Sequence, residues 1–179
     1  MRKVLIAFIA LCWLFSACHK EEAPKLPTTA FPNAWEGAQA YGWVKANRDG
    51  KAWAGSCFAT IQNGDTTKFG LEFATSDADT TVIEDLAFVR IPLKVGKYRL
   101  TSSPDSEQSI YWVGYYDEID ALYEVAKSTE NYLWIDSYDS VTKLITGRFQ
   151  SSYTKSDNFR FNYPDFVAFT EGTFSVKMY

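Results

Sequence analysis

Histidine is almost absent from this chain, and its scarcity excludes several classes of enzyme. The only histidine among the 179 residues is His19, which lies just after an apolar N-terminal segment. Serine and cysteine hydrolases use an imidazole as general base, and zinc sites are built from clusters of cysteine and histidine. Because no histidine follows His19, chemistry that depends on a folded imidazole is excluded from the body of the protein.

Cysteine is nearly as scarce. The chain contains Cys12, Cys18 and Cys57, and only Cys57 lies beyond the first 22 residues. A single thiol leaves the body of the protein without an internal disulfide. Cys57 lies in the apolar stretch Gly55–Ile61 with no histidine near it in sequence, so we expect a small buried side chain and not a nucleophile.

The chain also lacks a cluster of basic residues. It has 18 Lys and Arg against 22 Asp and Glu, and its densest basic group is the spaced set Lys94, Lys97 and Arg99. Such spacing is typical of the solvated face of a strand. Nucleic-acid binding needs clustered cations that neutralise phosphates, so we predict no nucleic-acid partner.

The acidic residues form no complete metal site. Asp77 with Asp79, and Asp117 with Glu118 and Asp120, lack the glycine and the terminal acidic residue of a calcium-binding loop. We therefore expect solvated turns there, with no metal and no cofactor. A pair of carboxylates could still hydrolyse a glycosidic bond, and such a hydrolase is the least favoured alternative for the function.

The first 17 residues have the composition of an export signal. Arg2 and Lys3 precede 12 apolar residues, Val4–Phe15, and the small residues Ser16 and Ala17 follow. A helix of 12 residues is about 18 Å long, which is too short for a hydrocarbon core of about 30 Å. We predict that residues 1–17 are a signal peptide that is removed on export.

The residues around the predicted cleavage site resemble a bacterial lipobox. Leu14-Phe15-Ser16-Ala17-Cys18 ends in the cysteine that is acylated in such proteins, although Phe15 stands where an aliphatic residue is usual. Two or three acyl chains anchor a protein stably, whereas one chain is marginal. We predict lipidation at Cys18 and a membrane partner through this anchor. Ordinary secretory cleavage with a free Cys18 thiol is the alternative.

A short motif after the cysteine predicts the destination. Lys20, Glu21 and Glu22 resemble the signal that sends Bacteroidetes-type lipoproteins to the outer face of the outer membrane. Residues 18–39 contain three prolines and no apolar period, which indicates a lipidated, flexible tether. We predict a lipid-anchored protein at the cell-surface face of the outer membrane. The mature chain keeps 16 basic and 22 acidic residues, a net charge of −6.

From Ala40 onward the apolar residues recur with the period of two that is typical of half-buried strands. Between them, Asp49-Gly50 and Asn63-Gly64 supply the positive φ angles that tight hairpins need. The predicted strands are Tyr41–Asn47, Lys51–Gln62, Lys68–Thr75, Asp85–Ile91, Lys97–Thr101, Ile110–Tyr116, Ala121–Ala126, Tyr132–Tyr138, Lys143–Thr154, Val167–Phe169 and Thr173–Met178.

This number of strands, with an aromatic content of 17%, indicates an all-β protein. We predict one domain over residues 40–179, a single antiparallel β-sandwich, with a closed, lipocalin-like β-barrel as the alternative. A short helix near residues 117–127 is an alternative to the predicted strand there, because Ile119, Leu122 and Tyr123 fall on one helical stripe.

Four short motifs in the domain resemble those of a Bacteroidetes-type family of small all-β lipoproteins of unassigned function. They are Gly50-Lys51-Ala52-Trp53, Gly96-Lys97-Tyr98-Arg99-Leu100, Ser137-Tyr138-Asp139 before Lys143-Leu144-Ile145-Thr146-Gly147-Arg148-Phe149, and Gly172-Thr173-Phe174. The resemblance spans Asn47 to Tyr179. It implies the same all-β fold and brings no known active site.

The densest aromatic stretch, Ile110–Tyr116, supplies the candidate ligand-binding residues. Alternation places Tyr111 on one face of this strand and Trp112 and Tyr116 on the other, about 13 Å apart. If exposed, the second face offers a platform for a sugar ring or an apolar partner; a strand covered on both faces is the alternative. We predict a non-enzymatic binding module for a glycan or protein partner. The rival is a barrel that carries a small apolar ligand.

Overall fold

The structure, a computed structural model, describes residues 42–62, 64–76, 81–115, 118–158 and 163–178. These ranges contain ten strands and no helix. The strands are β1 (Gly42–Arg48), β2 (Lys51–Gln62), β3 (Asp65–Ser76), β4 (Val82–Pro92), β5 (Gly96–Arg99), β6 (Gln108–Tyr115), β7 (Glu118–Val125), β8 (Tyr132–Tyr138), β9 (Leu144–Asn158) and β10 (Phe166–Lys177).

Eight of the strands form a closed antiparallel barrel in the order β10-β1-β2-β3-β4-β6-β7-β9, which the pairing of β9 with β10 closes. The all-β prediction is confirmed. Of the two predicted architectures, the closed barrel is the one that forms. A sandwich would leave two sheets with free edges, whereas the long strands β9 and β10 pair from Leu144 to Thr154 and join those edges.

The two remaining strands widen the barrel at one end. Strand β9 pairs with β8 along Ile145–Gln150 and with β7 along Tyr153–Asn158. Strand β5 then pairs with β8. Thus β8 and β5 extend the wall beside the first half of β9, where β7 no longer pairs with it.

Because neighbouring strands are antiparallel, successive connections alternate between the two ends of the barrel. The end at which the described chain begins, with Gly42, is here called the entry end. It also carries the β2–β3 turn, the β4–β5 turn, the β8–β9 turn and Met178. The opposite, far end carries the tight β1–β2 turn, in which Asp49 and Gly50 both have positive φ angles, as predicted for this turn.

Aromatic rings fill the middle of the barrel. The Phe73 ring lies with its centroid 5.0 Å from that of Phe149 and 5.3 Å from that of Phe174, on strands across the interior. Phe88 packs edge-on against Phe73 at 5.1 Å. Nearer the far end, Tyr111 packs against Phe169 at 5.3 Å. All of these side chains are almost completely buried, so the alternation in the sequence correctly identifies the core face.

One predicted division between strands is wrong, and one open alternative is resolved. Val167–Phe169 and Thr173–Met178 belong to one strand, β10, because Glu171 is an extra residue in a β-bulge with φ of 55° and not part of a turn. Residues 118–125 form strand β7, paired with both β6 and β9. The helix alternative near residues 117–127 is therefore wrong for this part of the range, and the strand that we preferred there is confirmed.

Several predictions concern residues outside the described ranges. They are the signal peptide at residues 1–17, the tether at 18–39, the lipidation site Cys18, the motif Lys20-Glu21-Glu22, and the candidate ligand residue Tyr116. These stay predictions.

Candidate functional site

The outer surface of β8 carries two neighbouring aromatic side chains. Leu133 and Ile135 point into the barrel and are buried, so Tyr132 and Trp134, which alternate with them, point outward and are half-buried. Their ring centroids are 5.7 Å apart with an interplanar angle of 45°. The two rings thus form a continuous aromatic surface on the outside of the barrel.

Cationic side chains from the adjacent strands lie against these rings. Lys97 on β5 places its Nζ atom 3.6 Å from the centroid of Tyr132 and 5.1 Å from that of Trp134. On the other side, Cζ of Arg148 on β9 lies 5.7 Å from the Trp134 centroid. Register explains the arrangement, because Trp134 pairs with both Lys97 and Arg148. A cation over an aromatic face is attracted by the ring quadrupole.

Arg148 is held in place by a carboxylate. Its Nε donates to Oδ2 of Asp136 at 2.9 Å, and its Nη2 donates to Oδ1 at 2.8 Å. These hydrogen bonds raise the pKa of Arg148. A two-point contact fixes the plane of the guanidinium, which a single contact does not. We call the set Lys97, Tyr132, Trp134, Asp136 and Arg148 the cation–aromatic face.

The cation–aromatic face combines flat apolar area with cationic hydrogen-bond donors. The rings supply flat apolar area, Lys97 is an exposed and flexible cation, and Arg148 is a fixed donor. Arg99, exposed next to Tyr132 in the register, adds another cation. Stacking on the rings together with polar contacts from the cations suits a ligand that is ring-shaped, polar and anionic.

The sequence-predicted candidate Trp112 lies on a different part of the wall. It points outward from β6, on the face opposite Tyr111, and is half-buried. Its ring packs over Gly114 on its own strand, where an added Cβ would lie 3.2 Å from Cζ3 of the indole. Across the strands it is in register with Asp85 and Leu122. Its proposed partner Tyr116 is outside the described residues, so the structure neither brings the two together nor separates them.

Tyr132 and Trp134 are not among the site residues predicted from the sequence, although their signal is present. In Tyr132-Leu133-Trp134-Ile135, two aliphatic residues alternate with two aromatic ones. The same rule that separated Trp112 from the face of Tyr111 places Tyr132 and Trp134 together on the face opposite Leu133 and Ile135. The cations above them could not be found this way, because they come from strands distant in sequence.

Neither of two grooves in the described part of the barrel brings two carboxylates together. A groove at the entry end is lined by a single acidic residue, Asp139, and a second groove beside β5 is lined by none. One carboxylate pair occurs elsewhere, on the outer wall: Glu72 and Asp85 are diagonal neighbours on β3 and β4. Burial, and then the charge of Glu72, raise the pKa of Asp85 to about 8.

The barrel retains space for a ligand at its entry end and not in its middle, which the rings of Phe73 and its neighbours occupy. The entry-end groove has a volume of about 970 Å³ and is lined largely by apolar residues, among them Ile61, Leu93 and Met178. This arrangement limits the carrier alternative to a ligand that binds at the mouth of the barrel.

The structure shows an unreactive environment for the thiol and no metal cluster in the part of the chain that it describes. Cys57 is unpaired and fully buried inside the barrel, as predicted, and burial raises the pKa of its thiol well above the usual value. Among the described residues no group of three or more His, Cys, Asp or Glu could hold a metal ion. Nor does this part of the chain contain a helix long and apolar enough to cross a bilayer.

Comparison with known proteins gives no assignment. No protein-family model matches the chain, and neither curated proteins nor solved structures match it. The fold and the outer face therefore define the class of the protein, a closed antiparallel β-barrel with an exposed cation–aromatic face.

Proposed function

We propose that this protein is a lipid-anchored, surface-exposed binding module without catalytic activity, and that the cation–aromatic face binds its ligand. A β-barrel is a rigid scaffold for such a role. The proposal for the anchor depends on the lipobox-like residues up to Cys18 and on Lys20-Glu21-Glu22. The same localisation, on the outer face of the outer membrane, would make the ligand extracellular.

The observation that carries the proposed binding role is the placement of two outward aromatic rings between cations. Tyr132 and Trp134 present ring area, and Lys97 and Arg148 lie against it at 3.6 to 5.7 Å. An acidic glycan matches both features, because its pyranose rings stack on aromatic faces and its carboxylate or sulfate groups pair with cations. An acidic segment of a protein is the second partner that these features support.

A glycan array tests this proposal. The chain with Cys18→Ala is expressed without the predicted signal peptide, residues 1–17, so that it carries neither the apolar segment nor the acylated cysteine, and it is applied to acidic and neutral glycans. We expect acidic glycans to be retained, and Trp134→Ala to weaken binding by about five- to thirtyfold, since stacked aromatics contribute on the order of 1–2 kcal/mol. Trp112→Ala is the matched control, a half-buried outward tryptophan on another strand, and should bind as the parent does.

The results distinguish the alternatives. Loss of binding in Trp112→Ala, with Trp134→Ala unaffected, would favour the site first predicted from the sequence. Retention of a protein in a pull-down, with a blank array, would favour the acidic protein segment. A blank result in both assays contradicts the binding module.

The anchor is tested separately by metabolic labelling with a fatty acid. The parent chain should incorporate the label and Cys18→Ala should not. Protease accessibility on intact cells then reports the proposed surface exposure. Unlabelled parent protein would contradict lipidation.

The entry-end groove supports a second candidate function, carriage of a small apolar ligand. Its largely apolar lining and its volume of about 970 Å³ are those of a small-molecule site. An apolar fluorescent probe should bind in the entry-end groove, and its fluorescence should increase on binding. Probe binding that is unchanged by Leu93→Arg would contradict this function.

A further inference from the structure

The entry end of the barrel combines exposed apolar side chains with a lining that is already apolar. Val141, at the tip of the β8–β9 turn, is 88% exposed, and Val95, in the β4–β5 turn, is 56% exposed. Between these turns lies the entry-end groove, to which Leu93, Leu144 and Met178 contribute. An apolar end of this kind, on a protein in water, is a mark of an interaction surface.

The described side chains at the entry end carry a net positive charge, whereas the whole chain has a net negative charge. Four lysines, Lys68, Lys94, Lys143 and Lys177, lie on its turns and strand ends, against the turn aspartates Asp65 and Asp139 and against Glu107, which is close enough to the β4–β5 turn to raise the pKa of Tyr98. Each of the two aspartates accepts a hydrogen bond from an amide of its own turn, at 2.9 and 2.8 Å. The Arg90 and Asp105 ion pair on the adjacent wall adds no net charge.

The far end has the reverse balance among the described residues. There the acidic side chains outnumber the basic ones: Asp49, Glu84, Glu118, Asp120 and Asp165 against Arg48, Lys51 and Lys155. With a net charge of −6 predicted for the mature chain, the excess of lysines at the entry end is a local feature. The two ends of the described barrel therefore differ in the sign of their net charge.

The chain also enters the barrel at this end. Gly42 pairs with Cys57 and Val176, close to Met178 and the groove. Only 24 positions in the sequence separate Gly42 from Cys18. A lipid on Cys18 would therefore be tethered to the barrel at its entry end and not at its far end.

We propose that the entry end rests on the membrane, with Val95 and Val141 in the headgroup region and Lys94, Lys143 and Lys177 beside anionic lipid headgroups. This inference depends on the proposed lipid anchor at Cys18. Aliphatic tips flanked by lysines suit an interface, because the apolar side chains enter the lipid while the ammonium groups stay at headgroup level. Each lysine near an anionic surface adds attraction.

The orientation has a consequence for the proposed binding site. The cation–aromatic face lies on the outer wall beside the entry end, so this orientation presents it sideways along the membrane surface. A ligand bound there would lie close to the membrane, as a glycan attached to the same membrane does.

Site-specific labelling of the lipidated full chain tests the orientation. An environment-sensitive fluorophore is attached at Val141→Cys, and the protein is reconstituted into vesicles of phosphatidylcholine with phosphatidylglycerol. Cys57 is fully buried and stays unlabelled. We expect a blue shift of the label and quenching by nitroxide-bearing lipids. The matched control is Lys51→Cys, an exposed position in the far-end turn, whose label should show neither.

Flotation of the vesicles separates the outcomes. A protein that does not float contradicts the anchor and, with it, this inference. A protein that floats with an unchanged label at position 141, or with a label at position 51 that responds instead, overturns the orientation alone. A blue shift without lipid quenching indicates contact with a second copy and also overturns it. Lys143→Glu with Lys177→Glu should still float but lose the shift.

Discussion

At the scale of single residues, Asp85 is a carboxylic acid that is buried although it lies on the outer wall of the barrel. It points outward from β4, in register with Ala74 and Trp112, yet only 7% of it is exposed. Its Oδ1 has no hydrogen-bond partner among the described residues. Burial, followed by the nearby charge of Glu72, raises the pKa of Asp85 to about 8. The carboxyl group is therefore protonated in the folded protein at neutral pH.

Replacement of Asp85 by asparagine should flatten the dependence of stability on pH. The folded pKa is above the unfolded value, so the contribution of Asp85 is fully present below about pH 4 and is lost as the pH rises towards 8. An asparagine side chain cannot ionise and avoids this loss. We expect the free energy of unfolding of the parent, but not of Asp85→Asn, to fall by a few kcal/mol between about pH 5 and 8.

Urea unfolding of the Cys18→Ala chain at several pH values measures this difference. Asp105→Asn is the control, because it removes a carboxylate whose side chain is 97% exposed. Parallel curves for the parent and Asp85→Asn would show that Asp85 is ionised in the folded protein, and would contradict the prediction.

At the scale of strands, some glycines lie where backbone and side-chain atoms of neighbouring strands leave no room for a Cβ. A Cβ on Gly147 of β9 would overlap the carbonyl oxygen of Trp134 and would lie 2.5 Å from Cζ of Phe174. The first neighbour is backbone of β8 and the second belongs to the core, so neither can move freely. In contrast, the atom nearest to a Cβ on Gly70 of β3 would be 3.6 Å away.

Gly147→Ala should therefore destabilise the barrel, and Gly70→Ala should not. Overpacking of a filled core costs about 1–3 kcal/mol, whereas an alanine that fits removes only unfolded-state entropy and changes stability by less than about 1 kcal/mol. Thermal and urea unfolding of both variants measure the difference. Equal stability of the two would mean that β8 and Phe174 shift at little cost.

Local patterns predicted the strands well because a strand in a barrel has one face in the core and one in water. That rule placed Phe73 among the alternating apolar residues of its strand and separated Trp112 from the face of Tyr111, and in the structure Phe73 and Tyr111 are buried while Trp112 is half-buried. It divided β10 at Glu171-Gly172, because a β-bulge and a turn both use residues with positive φ. Pairing of β9 with β10 closes the barrel, but no local pattern records which distant strands meet. For the same reason, Lys97 above Tyr132 could not be predicted.

At the scale of the whole molecule, closure makes the barrel depend on contacts across its interior. Phe73 on β3 contacts Phe149 on β9 and Phe174 on β10, and so joins walls that are not hydrogen-bonded to each other. Such contacts form only when the barrel is complete. The core should therefore stabilise the molecule as a unit and not strand by strand.

Phe73→Ala should lower the free energy of unfolding by about 3–5 kcal/mol, the range for large-to-small changes in a filled core. Phe166→Ala, at a phenylalanine that is 45% exposed, is the matched control and should cost much less. Urea unfolding followed by tryptophan fluorescence measures both. A small loss in Phe73→Ala would indicate that the interior collapses around the cavity.

Closure also determines how Cys57 becomes accessible. Its side chain lies inside the barrel on β2, whose neighbours β1 and β3 are themselves paired on both sides. Within the described barrel, β2 therefore has no free edge beside it from which it could separate alone. Exposure of the thiol should require global unfolding.

Thiol reactivity measures this cooperativity, because Cys57 is the only thiol in residues 18–179 once Cys18 is replaced by alanine. A thiol reagent should modify Cys57 more slowly the larger the global free energy of unfolding is. The logarithm of the rate should rise linearly with urea concentration, with the slope that equilibrium unfolding gives. The logarithm of the reaction rate should rise in proportion to the free energy of unfolding that Phe73→Ala loses. Phe166→Ala should change the rate little. A rate insensitive to urea would instead reveal local opening of the wall at β2, and would contradict the cooperative closure inferred from the strand pairing.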